Sequence, residues 1–232
     1  MSKFSNLQCA FITILFCSSL RCLAQDPASV TLQFLSFPKS NAPVAIEFLV
    51  GENKTIKLEV PTNELSPPQT IKLQTKWIFG ETVEGKDGKP AFNVLGQAQA
   101  LSSTKQLILL VRKGATNADG FDVIPVDYQD SKFGGGKFLF MNAATIDIAG
   151  TIGDVQFVIK PGQHTIVAPK KETRNEDKKL CNIQIFFKKG EEAKNFFSST
   201  WPVEANARSL IFFYHDSDNK RLRLHTIQDF PQ

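Results

Sequence analysis

Few residues in this chain are of types that carry chemistry. There are three histidines, His164, His215 and His225, one cysteine beyond the N-terminal segment, Cys181, and a glycine run closed by a lysine, Gly134-Gly135-Gly136-Lys137. A phosphate loop needs Gly-x4-Gly-Lys followed by Ser or Thr at the start of a helix, so that helical N–H groups and the hydroxyl meet phosphate and metal. Here Phe138 follows Lys137 and leads an apolar run, so the pattern fails. The dinucleotide pattern fails as well, because nothing helical follows. The segment 131–136 is read instead as a Gly-rich hinge or bulge between two modules.

No two of the histidines are spaced as metal ligands on one element, and Cys181 has no neighbouring cysteine, so neither a metal nor a cofactor is expected. His215 and His225 would face each other across a hairpin if Tyr214 and Leu224 lie on adjacent strands, with Asp216 beside them. Two Asx-rich stretches, Asn117 with Asp119 and Asp122, and Asp216 with Asp218 and Asn219, offer oxygens to calcium but lack the closing glutamate of an EF-hand. Hairpin turns have the same composition. There is no Gly-x-Ser-x-Gly elbow, and Cys181 opens an apolar strand, where a thiol packs rather than reacts. A non-catalytic protein is therefore expected. The enzymatic alternative is a hydrolase with dispersed acidic residues.

The candidate ligand-binding residues are Trp201, Tyr214, Arg221, Arg223 and His225. Trp201, ahead of Pro202, could offer a stacking face to a sugar together with Tyr214 or Tyr128, whereas Trp77, flanked by Ile78 and Phe79, is assigned to the core. In "RLRLHTI" the period of a strand sends Arg221, Arg223 and His225 to one face and Leu222 and Leu224 to the other. Such a basic ladder suits an anionic polymer or headgroup; it also protects a strand edge from other sheets.

The elements that must position these residues read as strands. Apolar residues recur with period two or in short β-rich runs, such as "SVTLQFLSF", "QLILLVR", "KFLFM" and "SLIFFYH", with turn residues between them. Helix signals are confined to "GQAQALSSTKQ" from Gly96 and "GEEAKNFF" from Gly190, a turn or two each. The run "KKETRNEDKK", Lys170 to Lys179, reads as a solvated loop. A coarse repeat is visible: "TIKLEVP" answers "HTIVAP", "IKLQTKWIFGE" answers "CNIQIFFKKGE", and both halves close on Gln-Asp, at Asp130 and Asp229. The fold class expected is all-β, two tandem immunoglobulin-like β-sandwich modules at 25–130 and 137–232.

Residues 1–24 read as a cleavable signal peptide, with Lys3 before the apolar run Cys9 to Leu20 and cleavage after Ala24. Lipidation at Cys22 is disfavoured by Arg21 before it. Cleavage leaves 208 of the 232 residues and removes three of the four cysteines, so the exported chain has no intramolecular disulfide. It also leaves 25 basic against 23 acidic residues, a balance that gives no support to nucleic acid as a partner. Twenty phenylalanines against two tryptophans and two tyrosines point to a thick apolar interior. No later segment has the length of a membrane helix.

At "GGGKFLFMNAATIDIAGTIGDVQFVIKPGQHTIVAP" and "FFSSTWPV…ARSLIFFYHD…RLRLHTI" the second half, from Phe133 to Asp229, resembles a family of uncharacterised exported bacterial all-β proteins. In that family a Gly-rich lead-in, a Phe-Leu-Phe-x-Asn strand and a Pro-Gly turn occur in this order. The resemblance implies a structural framework and carries no catalytic residues. The expected protein is periplasmic, cell-surface or extracellular, an interaction or scaffold module for another envelope protein. A carbohydrate-binding accessory module is the alternative.

Overall fold

The structure, a computed structural model, describes residues 29–52, 54–85, 87–170, 173–175, 178–189, 192–216 and 221–230. The expected signal segment, and Asp218 and Asn219 of the second Asx-rich stretch, lie outside the described residues.

The protein is all-β. The first module runs β1 (Ser29–Phe37), β2 (Val44–Leu49), β3 (Thr55–Val60), β4 (Gln69–Lys72), β5 (Lys76–Glu84), β6 (Pro90–Gln99), β7 (Lys105–Arg112) and β8 (Phe121–Asp127). The second runs β9 (Phe138–Asn142), β10 (Ile148–Ile152), β11 (Val155–Ile159), β12 (His164–Val167), β13 (Thr173–Asn175), β14 (Lys178–Lys189), β15 (Glu192–Pro202), β16 (Arg208–His215) and β17 (Leu222–Asp229). Each module is a sandwich of two sheets. The sheets of the first are β4-β1-β7-β8 and β3-β2-β5-β6; those of the second are β12-β9-β16-β17 and β11-β10-β14-β15, with β13 added on β14. Both modules thus share one strand order, including a parallel pair at the centre of one sheet, β1 with β7 and β9 with β16.

Registers make the equivalence residue-specific. Leu35 pairs with Leu109 as Met141 pairs with Phe212, and Leu107 pairs with Val126 as Leu210 pairs with Ile227. All eight face a third apolar cluster between the β4-β1-β7-β8 sheet and the β12-β9-β16-β17 sheet. Their strand neighbours Phe34, Ile108, Phe140 and Ile211 point the other way, into the cores of their own modules. The central strands are therefore buried on both faces, which is why their sequences are unbroken apolar runs rather than alternations. The stack is four sheets deep, with two private cores and one shared.

Several sequence expectations change. "GQAQALSSTKQ" begins within β6 and most of "EEAKNFF" lies in β15: pairing with β5 and β14 overrides the helical preference of Ala, Gln, Glu and Lys. Parts of "KKETRNEDKK" form the β13–β14 hairpin. "TIKLEVP" is β3, an outer-sheet strand whose counterpart is β11, so its match to "HTIVAP" on β12 was misplaced. The expected hinge is clamped. Phe133 is fully buried in the shared core, the Gly136 N–H donates to the Ala207 carbonyl, and Lys137 Nζ donates to the carbonyls of Ser131 and Lys132. Gly135 allows a close backbone approach, since a Cβ there would fall 1.8 Å from the Ala205 oxygen.

Two buried amides show how polar groups are accommodated. Trp77 is fully buried and its Nε1 donates to Gln106 Oε1 at 2.9 Å, while Gln106 Nε2 donates to the carbonyls of Leu101 and Ser103. Asn142 donates to the carbonyls of Ile146 and Ile159 and accepts from the Ala144 N–H, tying β9 to the segment that leads into Pro161-Gly162. Each leaves no buried donor of that side chain unpaired.

Candidate functional site

The seam between the modules runs along the central strands and has two ends. At the end where β16 begins and β8 and β17 finish, Arg208 is buried. Its Nε donates to Asp229 Oδ2 at 2.6 Å, and its Nη1 donates to Asp130 Oδ1 at 3.0 Å and to the Phe133 carbonyl at 2.6 Å. The Tyr128 hydroxyl donates to the same Asp229 oxygen at 2.6 Å, and the guanidinium carbon sits 3.7 Å from the Tyr128 ring centroid. This is a charge-assisted, ring-backed clamp between modules. Burial holds the Tyr128 phenol well above its ordinary value, with the Asp229 carboxylate adding to the rise and Arg208 opposing it. Asp229 stands at the position equivalent to Tyr128, so the closing Gln-Asp pairs of the two halves are not register equivalents.

At the other end β1, β7, β9 and β16 finish together, and the seam opens into a cleft of about 590 Å³. Its walls are repeat equivalents: Phe37 and Ala143 after the same stretch of β1 and β9, Val111 and Tyr214, Arg112 and His215. Thr145, Pro38, Lys113 and Ala115 complete the rim. The Phe37 ring is the floor, stacked on Phe212 at 4.9 Å and met edge-on by Tyr214 at 4.8 Å. Arg112 Nε is shielded from solvent and has no hydrogen-bond partner among the described residues. Lys113 is paired with Asp122 at 3.3 Å, and the Asp119 carboxylate, lowered in pKa by its bonds from Thr116, accepts from the Thr116 N–H and hydroxyl.

The five sequence candidates do not make one site. Tyr214 lines the cleft and His225 lies beside it, 6.2 Å from Phe37 ring to ring. Arg223 is held by Asp216 at 3.2 Å, and the Arg221 carbonyl accepts the Asp216 N–H where the β16–β17 hairpin closes. Trp201 is on β15 and half-buried against the second module's core, stacked on Phe138 at 6.1 Å and beside Phe197 at 5.6 Å. It sits opposite Cys181, as Trp77 sits opposite Ala98: each outer-sheet hairpin packs one tryptophan against one small residue. His164 is exposed at the start of β12, and Cys181 is buried. The Asn117–Asp119 stretch is a 3-10 turn closed by Thr116 and Asp119, and no cluster of His, Cys, Asp or Glu among the described residues could hold a metal.

Sequence reasoning missed Arg112 and Arg208. The signal for both was positional: each is a lone arginine at the end of an apolar run that is buried on both faces. No family model and no curated protein matches this chain.

Proposed function

We propose that the chain is an exported, non-catalytic recognition protein of the cell envelope whose second module holds a protein partner along the free edge of β15. The observation that carries this reading is an asymmetry between equivalent edges. In the first module β8 closes against β6 at Gly96, where a Cβ would fall 2.8 Å from the Phe121 oxygen, while Asn93, Val94, Gln97 and Gln99 stay exposed. Among the described residues β15 of the second module pairs with β14 alone, and Glu192 to Asn195 and Ser198 to Thr200 are exposed. A long open edge invites an extended segment of another chain to add as a further strand. The bulge between Ile185 and Phe186 turns both Phe196 and Phe197 toward the core and leaves the hydroxyl-rich Ser198-Ser199-Thr200 outside. The half-buried ring of Trp201, packed beside Phe138 and Phe197, favours a protein partner over a sugar in this reading. No helix among the described residues is long and apolar enough to cross a membrane.

The test is site-specific photocrosslinking in the native envelope, with the probe at Ser199 on β15 or at Lys57 on β3. One discrete protein adduct from Ser199 and none from Lys57 is the expected result. Equal labelling from both positions, or none from Ser199, overturns the reading.

A further inference from the structure

The outer face of the β11-β10-β14-β15 sheet carries a trough whose chemistry differs from that of the equivalent face in the first module. Cross-strand register sets it out in rows. Ala149 of β10 lies between Val158 of β11 and Phe186 of β14; two residues along, Thr151 lies between Gln156 and Gln184, with Ser198 of β15 beyond. Residues two apart on a strand share a face, so these side chains project together from the sheet. A small residue between two larger ones at each level leaves a trough along β10 of about 360 Å³, within the roughly 300–1,000 Å³ usual for ligand sites. Val158 is 67% exposed and Phe186 half-buried, so the apolar row is open to solvent.

None of these seven side chains is charged, although Lys, Arg, Asp and Glu make up 22% of the chain. The fold does not require this, because the corresponding depression on β2, β3 and β5 is lined by Glu47, Lys57, Glu59 and Glu81. A charge-free trough offers no partner to a phosphate, a carboxylate or an ammonium group. Nor can a peptide add here as a strand, since the β10 backbone is already paired on both sides. Recognition falls to the side chains. The Gln156 and Gln184 amides each present a donor and an acceptor, and neither is engaged among the described residues. Paired donors and acceptors beside a short apolar row match a sugar ring, with hydroxyls at its edge and C–H groups on its face. We propose that the trough along β10 binds an uncharged glycan chain, its hydroxyls on Gln156, Gln184 and Thr151 and a ring face on Phe186 and Val158. The site is on the face of the sheet, away from the open edge of β15, and Trp201, turned to the other face, has no part in it.

The test uses the purified, naturally processed protein and calorimetry with five neutral hexasaccharides, cellohexaose, mannohexaose, xylohexaose, laminarihexaose and maltohexaose, and with hexagalacturonate as the charged probe. At least one neutral probe should bind saturably, at least about 10-fold more tightly than hexagalacturonate, whose carboxylates find no counter-charge. Gln184→Ala, at an exposed position, should weaken that binding about 3- to 10-fold, the loss of one hydrogen bond. Ala149→Phe, which fills the floor of the trough, should abolish it while the protein still unfolds cooperatively, and Lys57→Ala on the first module should leave it unchanged. Should Ala149→Phe fail to fold, Gln184→Ala and the hexagalacturonate comparison decide alone. Saturable binding by none of the five neutral probes, hexagalacturonate bound as tightly as the best of them, binding unchanged in either folded trough variant, or equal weakening in Lys57→Ala, overturns the proposal.

Discussion

Each end of the inter-module seam is built from paired positions of a repeated sandwich, and the two ends have opposite outcomes. At one end an arginine is inserted among acceptors: Arg208 takes Asp229, Asp130 and the Phe133 carbonyl, and the Tyr128 hydroxyl donates to the same Asp229 oxygen as Arg208. At the other end an arginine is present and one of its nitrogens has no acceptor, with Phe37 facing Ala143 and a cleft between them. A duplicated fold packed face to face supplies a filled end and an unfilled end from one architecture. Filling depends on whether the paired positions carry complementary partners. The first end ties the modules together, and the second leaves an open cleft.

The comparison breaks most visibly at Arg208. Truncation by Arg208→Leu strands Asp229 and the Phe133 carbonyl in a dry seam, a class of change that costs about 3–5 kcal/mol. Because the shared core is held at that end, we expect urea unfolding to lose its single transition and show two, one for each private core, read by intrinsic fluorescence of Trp77 and Trp201. A single transition displaced by less than about 1 kcal/mol would mean that the apolar seam alone docks the modules and that the clamp is ornamental.

Tyr128 sharpens the comparison at the same end with a smaller effect. Its phenol is held above the ordinary value by burial and by Asp229, so folding favours the neutral form. A raised pKa contributes stability that is complete below the unfolded value of about 10 and is lost as pH climbs from there toward the folded value. Alkaline difference spectroscopy should therefore show Tyr128 ionising only together with unfolding. Tyr128→Phe should cost on the order of 1–2 kcal/mol at neutral pH, through the lost hydrogen bond to the Asp229 carboxylate, and should flatten the alkaline loss. Ionisation of Tyr128 in the folded protein would show that end to be wet.

Much of this architecture is legible in the residues. The runs Leu107 to Leu110, Phe138 to Met141 and Leu210 to Phe213 have no polar alternation, and strands of that kind have no solvent face. The repeat is visible in the same strands only in order and not in register, since the Gln-Asp that closes each half puts Asp130 against Asp229, whereas Asp229 stands in the place of Tyr128. The place of the short strands was not legible, because β3 and β12 each end in valine shortly before a proline, and nothing local says which sheet either joins. The clamp was hidden for a related reason: Arg208 meets acceptors at Asp130, Phe133 and Asp229 that only the seam brings near it. Trp201 misled because a tryptophan before proline in a polar stretch looks exposed, and its burial depends on Phe138 from a different sheet.

The smallest expected effect lies at the open end, at His225. Its ring sits beside Phe37, on the strand that carries Arg223, and its Nε2 is shielded without a hydrogen-bond partner among the described residues. Burial first, and then the charge of Lys39, lowers its pKa below the ordinary value. Charging the ring is thus disfavoured in the folded protein, whereas the unfolded chain takes the proton near pH 6.5. Below that value the unfolded state binds more protons, so stability is complete above about pH 7 and falls as pH drops through 6.5 toward the lowered folded value. Denaturation midpoints of wild type and His225→Gln, compared at neutral and mildly acidic pH, isolate this group from the other two histidines. We expect the wild type to lose more stability on acidification than the variant, and Lys39→Gln to recover part of the difference. Parallel losses in wild type and variant would mean that the open end accepts a charged imidazole beside Lys39.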